Sequence, residues 1–373
     1  MAGLKMSKKV DWLENRLQDA GKIQEYSSGE YTFSKKDENK TGKWIKLDAN
    51  ENLFLHKSQF TQLFREVTQT LNPRLYPQNE KINLINALSE YLELPSDCFT
   101  IGNGSDELIE TTVKAFLRKS ERVISITPTF AMYEVIVNAY NNVYDAVPLG
   151  PNFVLDVDAL LSKIKPQTVL CILCSPNNPT GNQFKLGSVR KLLQEFKGVV
   201  LMDEAYAEFA PSSTKEQIKE FDNLIILRTF SKSFSLAGLR IGYSLACPQV
   251  TALIRRYQLP WNVNQFSMQM ATKVLEKKEV FIDTINRIKN ERTHLISELN
   301  KIPRVKAFHS DANFVLFRTE KDADEVFNEL KKRRILIRNI GDIPGFSNCL
   351  RVTVGLPEMN NRFIKALDKI CDE

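Results

Sequence analysis

Histidine is scarce in this chain, which has only three histidines among its 373 residues. His56, His294 and His309 stand far apart, and no two of them show the spacing of zinc ligands. The sequence therefore disfavours a histidine-based zinc centre and a serine-type catalytic triad, since both need suitably placed histidines. We expect no metal site, and we expect the chemistry to rest on other side chains.

Long hydrophobic runs are absent as well. The run from Val169 to Cys174 is among the longest, and it falls far short of the roughly 20 residues that a membrane helix needs. The lysines near the N-terminus are followed by Asp11 and Trp12 instead of an apolar stretch, so no secretory signal is visible. We therefore expect a cytoplasmic protein with no membrane partner.

Neither sign of charge dominates, since 51 lysines and arginines against 45 aspartates and glutamates leave a net charge of +6. Both signs are interspersed along most of the chain, unlike the clustered basic surface of a nucleic-acid-binding protein. We expect no nucleic-acid partner.

The six cysteines do not suggest a disulfide framework, because the chain is long and shows no secretory signal. Cys171 and Cys174 form a C-x-x-C pattern inside a run that is typical of a buried strand. Side chains three residues apart on a strand point to opposite faces and cannot chelate one metal ion. We interpret both cysteines as core residues.

The chain is long enough for two or three packed units, and 43% hydrophobic residues predict a full core. From Trp44 onwards, short apolar runs alternate with amphipathic stretches, which is typical of strands alternating with helices. This pattern predicts an α/β fold with a mostly parallel central sheet and helices on both faces. The predicted strands are Arg122 to Ile126, Val143 to Val147, Thr168 to Cys174, Val199 to Met202, Leu224 to Leu227 and Ile241 to Ala246.

After Gln265 the pattern changes to a long helical stretch followed by shorter strands and helices, which predicts a smaller α+β domain. We expect residues 1–52 to form an N-terminal arm and segment that pack with the small domain or a partner subunit. Residues 53–270 would form the large domain, and residues 271–373 the small one.

Ligands of open α/β sheets bind outside the carboxyl ends of the strands, so the polar residues after each apolar run are the first candidates for a site. Gly102 to Gly104 form a glycine turn that leads into a helix at Ser105 and Asp106. Amides at a helix N-terminus favour a phosphate, although a plain N-cap explains the same residues.

Further candidates follow the next strands. Asn178 lies in an Asn/Pro turn, and Asp203 and Tyr206 follow a buried run, where a rigid turn or a helix cap is the alternative. Lys232 stands among hydroxyls and phenylalanines, which indicates a desolvated amine of lowered pKa, as a Schiff-base lysine requires. Arg240 adds a planar donor fork suited to phosphate.

The order of these candidate residues along the chain is a more specific signal than any one residue. With this order, the chain resembles the fold-type I aminotransferases that use pyridoxal 5′-phosphate (PLP). The resemblance extends from Leu47 to Leu367. It rests on S-P-N-N-P-T-G at 175–181, D-E-A-Y at 203–206 and S-K-S-F-S-L-A-G-L-R at 231–240. It implies the fold of the PLP-dependent transferases of type I and the cofactor PLP.

The resemblance also implies roles for single residues. Lys232 would bind the cofactor covalently and move the Cα proton of the substrate. Asp203 would pair with the pyridine nitrogen, and Asn178 and Tyr206 would donate hydrogen bonds to the ring oxygen. The implied catalytic residues are Lys232, Asp203 and Tyr206.

Other residues would hold the remaining groups of the cofactor and the substrate. Phe130 would stack on the pyridine ring, with Tyr133 a weaker candidate, and Arg351 would bind the α-carboxylate of the substrate. Tyr76 would reach the cofactor phosphate of the neighbouring subunit, which implies a homodimer with shared active sites. The cofactor phosphate would be held by Gly104, Ser105, Asp106, Thr229, Ser231 and Arg240.

Within this class the chain is most similar to the histidinol-phosphate aminotransferases. That family transfers an amino group from histidinol phosphate to 2-oxoglutarate in histidine biosynthesis and yields imidazole acetol phosphate and glutamate. The similar segments are L-D-A-N-E-N at 47–52, P-W-N-V-N at 260–264 and I-L-I-R at 335–338. They imply that Arg338 binds the substrate phosphate, that Tyr26 touches it from the other subunit, and that Asn50 contacts the substrate. The chain departs from the family pattern at Glu25, Leu53, Trp261 and Asn339.

Three alternatives share the PLP fold: a decarboxylase of threonine phosphate, an aromatic amino-acid aminotransferase and a non-catalytic PLP-binding regulator. Such regulators usually carry a DNA-binding module, for which the first 45 residues leave no room. A nicotinamide-binding Rossmann enzyme is disfavoured, because the turn at Gly102 to Gly104 lacks the third glycine and the later acidic residue.

Overall fold

A computed structural model describes Gly21 and residues 44–372 of the chain. The strands are β1 (Ile45–Lys46), β2 (Phe99–Gly102), β3 (Arg122–Thr127), β4 (Val143–Pro148), β5 (Thr168–Cys174), β6 (Val199–Asp203), β7 (Leu224–Thr229), β8 (Gly242–Ala246), β9 (Val305–Ala307), β10 (Phe314–Thr319), β11 (Ile335–Leu336), β12 (Arg338–Ile343) and β13 (Phe346–Thr353). The helices are α1 (Lys57–Thr70), α2 (Glu80–Leu92), α3 (Gly104–Phe116), α4 (Met132–Ala139), α5 (Val157–Ser162), α6 (Leu186–Glu195), α7 (Pro248–Arg256), α8 (Gln265–Glu276), α9 (Lys278–Leu299), α10 (Ala323–Lys332) and α11 (Pro357–Asp372). Short 3₁₀ helices span Ser96–Cys98, Pro151–Phe153, Ala207–Phe209, Lys215–Lys219 and Ala237–Leu239.

Seven strands form the central sheet, in the order β2-β8-β7-β6-β5-β3-β4. Strands β3 to β7 run parallel to one another, whereas β8 is antiparallel to both of its neighbours. The predicted α/β fold with a mostly parallel sheet is confirmed, and all six predicted strands are present with ends within two residues of those expected. Strand β2 is an addition that the sequence pattern does not predict.

Apolar side chains cover both faces of this sheet. Along β5, Ile172 and Cys174 belong to one hydrophobic core, whereas Cys171 and Leu173 belong to another. All six cysteines are buried and free. The C-x-x-C pattern is therefore part of the cores, as strand alternation predicts.

A four-stranded antiparallel sheet lies in the C-terminal part, in the order β12-β13-β10-β9. The 22-residue helix α9 precedes it and places Phe281 in one core and Ile288 in the other. Strand β1 pairs in parallel with β11, with Ile45 opposite Ile335, so the segment before α1 is attached to this part of the molecule. The domain limits 1–52, 53–270 and 271–373 stay a prediction.

The helix α3 begins at the edge of the central sheet where the parallel strands end. Gly102 of β2 lies opposite Gly242 of β8, and Gly242 lies opposite Thr229 of β7. A left-handed Gly104, with φ of +82°, then turns the chain into α3, whose buried face includes Leu108. This arrangement brings the helix N-terminus beside the carboxyl end of β7.

No helix in residues 44–372 combines the length and the apolar character needed to cross a bilayer. The longest, α9, carries charged side chains along its whole length. In the same part of the chain, histidine, cysteine, aspartate and glutamate form no cluster of three or more that could hold a metal ion.

Candidate active site

A cavity of about 470 Å³ lies between the carboxyl ends of β5, β6 and β7 and the strands β12 and β13. Of the residues named from the sequence, Gly104 lies beside this cavity, Tyr76 lies away from it on the surface, and Tyr26 lies outside the described residues. The cavity is lined by thirteen of the named residues: Asn50, Ser105, Asp106, Phe130, Asn178, Asp203, Tyr206, Thr229, Ser231, Lys232, Arg240, Arg338 and Arg351.

Asp203 is a carboxylate buried at the end of β6, with 3% of its surface exposed. Its Oδ2 atom accepts a hydrogen bond from the Tyr133 hydroxyl at 2.7 Å, and its Oδ1 atom accepts one from the Ala205 amide at 3.0 Å. Burial raises the pKa of Asp203 to about 6, although both hydrogen bonds act in the opposite direction. The site thus holds a desolvated negative charge, which a bound cation would stabilise.

Tyr133 has a different position from the one the sequence suggests. It is fully buried and does not line the cavity, so the expectation that it stacks on a ligand ring is wrong. Phe130 lines the cavity, and the Tyr133 ring meets it edge-on at 5.5 Å while its hydroxyl reaches Asp203. The spacing of three residues between Phe130 and Tyr133 is one helical turn, but nothing in the sequence indicates a partner seventy residues away.

Lys232 follows β7 and lines the cavity, and its Nζ atom lies 6.0 Å from the centre of the Tyr206 ring. Its Nζ atom donates a hydrogen bond to the Ala49 carbonyl at 2.9 Å. Burial lowers the pKa of Lys232 to about 8, and the nearby charge of Arg351 acts in the same direction. With this pKa, about a tenth of the amine is unprotonated at pH 7, far more than of an ordinary lysine, and this form can act as a nucleophile or a base.

The N-terminus of α3, Arg240 and two hydroxyls form an anion cradle. A Cβ atom on Gly104 would lie 2.6 Å from Arg240 Nη2, and one on Gly242 would lie 2.8 Å from the Ser105 amide nitrogen. Arg240 also donates to Asp106 at 3.0 Å, and Thr229 donates to Ser231 at 3.0 Å. Position 242 requires glycine because the close atoms are backbone atoms, and position 104 favours glycine because its φ is +82°. The two glycines leave amides, hydroxyls and a guanidinium at one end of the cavity.

Two arginines lie at the other end of the cavity. In the antiparallel pair β12–β13, Arg338 stands directly opposite Arg351, and both side chains line the cavity. Arg351 donates to Asn178 Oδ1 at 2.5 Å and to the Asp48 carbonyl at 2.6 Å. Because the carbonyl oxygen of the Asn178 side chain accepts from Arg351, its amide nitrogen is the group that can donate into the cavity.

Tyr206 is oriented by the segment that precedes α1. Asn50 donates from Nδ2 to the Tyr206 hydroxyl oxygen at 3.0 Å, and Asn50 itself adopts a left-handed φ of 55°. Burial raises the pKa of Tyr206 above its usual value, so the hydroxyl keeps its proton. Tyr206 therefore accepts from Asn50 and has its own O–H to donate.

These residues fit a ligand that carries a phosphate, an aldehyde and an aromatic ring with a protonated nitrogen. The anion cradle suits the phosphate, the buried Asp203 carboxylate suits the cationic ring nitrogen, and the Lys232 amine suits the aldehyde. The fit rests on the glycine contacts at 104 and 242 and on the desolvated charge of Asp203.

The fold and the cavity define an α/β enzyme of the PLP-dependent type. The sequence profile described as aminotransferase class I and II matches residues 42–367, and the chain belongs to this family. It is an aminotransferase, and its cofactor is PLP. The predictions of the family, the fold class and the cofactor are confirmed.

Relatives in this family are named by their substrate. The histidinol-phosphate aminotransferase of Thermoanaerobacter sp. (strain X514) is 38% identical over 326 residues, which cover 87% of this chain and 92% of that protein. The crystal structure of the histidinol-phosphate aminotransferase from Clostridium acetobutylicum is 29% identical, with a TM-score of 0.81 over 88% of this chain and 99% of that one. The histidinol-phosphate aminotransferase from Sinorhizobium meliloti, solved in complex with pyridoxal-5′-phosphate, has the same fold, with a TM-score of 0.84, 21% identity and 99% of both chains covered.

Replacing Asp203 by asparagine should change the pH dependence of stability in the cofactor-free protein. The folded pKa of about 6 lies above the usual 3.8, so Asp203 favours folding in acid and this contribution is lost as the pH rises through about 6. The pKa difference converts to about 3 kcal/mol. In urea unfolding from pH 3 to 8, Asp203→Asn should gain about this much relative to the wild type.

Asp145→Asn is the matched control. Hydrogen bonds from Arg122 lower the pKa of Asp145, so this variant should lose stability relative to the wild type as the pH rises. A constant stability difference between Asp203→Asn and the wild type across the range would contradict a costly buried charge at Asp203.

Proposed function

We propose that this aminotransferase transfers the amino group of histidinol phosphate to 2-oxoglutarate, and that it yields imidazole acetol phosphate and glutamate in histidine biosynthesis. The observation that carries this proposal is the pair of arginines in one cavity, Arg338 opposite Arg351. Directly opposed residues on adjacent strands have Cα atoms about 4.5–5.5 Å apart and side chains on the same face. Two guanidinium groups therefore face the substrate together.

Both substrates suit two guanidinium groups. 2-Oxoglutarate carries a carboxylate at each end, and histidinol phosphate carries a phosphate close to its amino group. Arginine binds carboxylate and phosphate through paired hydrogen bonds. In this proposal Arg338 binds the substrate phosphate, and Arg351, fixed by Asn178 and the Asp48 carbonyl, binds the α-carboxylate of 2-oxoglutarate.

The proposal also assigns the cofactor-binding residues. When bound, PLP supplies an electron sink for the charge that develops at the substrate Cα. The residues that would hold its phosphate are Gly104, Ser105, Asp106, Thr229, Ser231 and Arg240, together with Tyr76 from a partner subunit. Phe130 would cover one face of the ring, and Asp203 would bind its nitrogen.

Lys232, Tyr206 and Asn178 perform the remaining steps of the proposed reaction. With a pKa of about 8, the Lys232 amine can take the proton from the substrate Cα and return it. The Tyr206 hydroxyl, oriented by Asn50, and the Asn178 amide would donate to the ring oxygen of the cofactor. Asn50 thereby links the segment 47–52 to the substrate side of the cavity.

The substrate panel that tests this proposal contains histidinol phosphate, threonine phosphate and phenylalanine. We expect glutamate formation with histidinol phosphate to have a kcat/KM at least about a hundredfold above that with phenylalanine, whose uncharged ring offers no anionic group to Arg338. Threonine phosphate should release no carbon dioxide. Carbon dioxide release from threonine phosphate as the fastest reaction would contradict the proposal and favour a decarboxylase.

Arg338→Ala should selectively impair the phosphorylated substrate. Loss of a charge-assisted hydrogen-bond pair costs about 2–3 kcal/mol, or roughly a hundredfold in kcat/KM for histidinol phosphate. Histidinol, which lacks the phosphate, should react with Arg338→Ala and the wild type at similar rates. Arg318→Ala removes an exposed arginine from the same sheet and serves as the control. Equal losses for histidinol phosphate and histidinol would remove Arg338 from phosphate binding.

We also propose a homodimer with shared active sites. Support comes from an exposed apolar surface patch formed by Leu75, Tyr76, Leu259 and Trp261. The Tyr76 ring stacks on Trp261 at 4.3 Å, yet 69% of Tyr76 and 56% of Trp261 are exposed. Large apolar surfaces of this kind mark protein interfaces. In a dimer, this patch would carry Tyr76 to the phosphate of the partner's cofactor.

Mixed dimers test the shared site. A dimer of one Tyr76→Phe subunit and one Lys232→Ala subunit would contain one site with both native residues, because Tyr76 acts across the interface. After random mixing, the activity should exceed the average of the two separate variants. Activity equal to that average, with dimers confirmed by light scattering, would contradict a Tyr76 contribution across the interface.

The same proposal assigns the enzyme to the cytoplasm. It is supported by the six cysteines, all of which are buried thiols without a disulfide.

A further inference from the structure

Next to the cavity lies a buried ion network to which the proposed reaction assigns no role. Arg228 Nη2 lies 2.8 Å from Glu204 Oε2, and Arg228 Nη1 lies 3.1 Å from Glu208 Oε1. The three side chains are 6%, 1% and 7% exposed, in the order Arg228, Glu204, Glu208. Charges this deeply buried are stable only when they are paired and hydrogen-bonded.

The network is anchored away from the cavity. Glu204 Oε1 accepts hydrogen bonds from the Thr214 amide at 2.6 Å and the Thr214 hydroxyl at 2.7 Å. The Ser213 hydroxyl donates to Glu204 at 2.8 Å and accepts from Arg228 at 2.6 Å. Burial lowers the pKa of Arg228, but the charges of Glu204 and Glu208 more than offset this effect, so the guanidinium remains charged.

Each end of the network adjoins a cavity residue in the sequence. Glu204 follows Asp203, and Arg228 precedes Thr229. Consecutive residues on a strand point to opposite faces, so the network and the cavity lie on different sides of the same strand ends. The network therefore supports the backbone of the cavity without lining it.

A further hydrogen bond connects the ion network to Ser233, the residue after Lys232. The Ser233 hydroxyl donates to Glu208 Oε2 at 3.1 Å, and the Ser233 carbonyl accepts from Asn52 Nδ2 at 2.9 Å. Ser233 is completely buried. The backbone that carries Lys232 is thus held from two directions, by the segment before α1 and by the ion network.

We propose that Glu208, held in place by Arg228, is a positioning residue for Lys232. Its carboxylate fixes Ser233, and Ser233 fixes the direction in which the Lys232 amine enters the cavity. This inference rests on the proposed covalent attachment of PLP to Lys232, in which the amine nitrogen bonds to the aldehyde carbon and the aldehyde oxygen leaves as water. Small errors in the placement of a reacting group slow such a step strongly.

Two serine-to-alanine variants separate positioning from general stability. Ser233→Ala removes only the hydroxyl that joins Glu208 to the Lys232 segment. Ser213→Ala, the matched control, removes a hydroxyl from the far end of the same network and leaves Ser233 intact. Both variants lose hydrogen bonds of the network, so a purely structural role predicts similar effects from both.

The readout is the rate at which cofactor-free protein attaches PLP, followed by absorbance and by borohydride trapping at Lys232. Pyridoxamine phosphate has no aldehyde, so its affinity measures binding at the anion cradle separately from attachment to Lys232. We expect Ser233→Ala to slow attachment about tenfold and to leave pyridoxamine phosphate affinity within about twofold of the wild type. Ser213→Ala should lower the Tm and change neither value.

An unchanged attachment rate in Ser233→Ala would overturn the proposal, and so would equal slowing in both variants. A wild-type protein that traps no cofactor at Lys232 would instead contradict the proposed function. The wild-type result alone decides that point, so the two failures are distinguishable.

Discussion

The site depends on a carboxylate buried without a cationic partner in the described part of the chain. Asp203 ends a strand whose neighbours are parallel, so the polar residues after β5, β6 and β7 meet at one edge of the sheet. Tyr133 and the Ala205 amide orient the carboxylate but do not neutralise it. Its desolvation therefore favours any ligand that brings positive charge to this point, and the anion cradle and Lys232 determine what else that ligand must carry.

The two sheets divide the chemistry between them. The central sheet, the segment after β7 and α3 supply Asp203, Lys232 and the anion cradle, whereas β12 and β13 supply Arg338 and Arg351. Strand register makes the two arginines neighbours, because a shift by one residue would turn one of them to the opposite face. Two neighbouring guanidinium groups would explain why this cavity suits a substrate with two carboxylates or a substrate with one phosphate.

The sequence predicts the strands and the residues that follow them well, because a parallel sheet buried on both faces leaves continuous apolar runs such as the one that forms β5. Strand β2 has only four residues, including Thr100 and Gly102, so it lacks such a run. The roles of Tyr133 and Glu208 depend on partners distant in sequence, which only the fold brings together. Lys232 could be predicted as a site residue because its apolar neighbours in the sequence are local, and the resemblance to a known family supplied most of the other predicted roles.

A single-turnover experiment with the PLP-loaded protein tests the central claim most directly. Histidinol phosphate alone should convert the bound cofactor to pyridoxamine phosphate, and 2-oxoglutarate added afterwards should restore PLP and release one glutamate per site. Absorbance and product analysis follow both halves separately. A bound cofactor that stays unchanged with histidinol phosphate, but is converted by another amino compound, would contradict the proposed substrate.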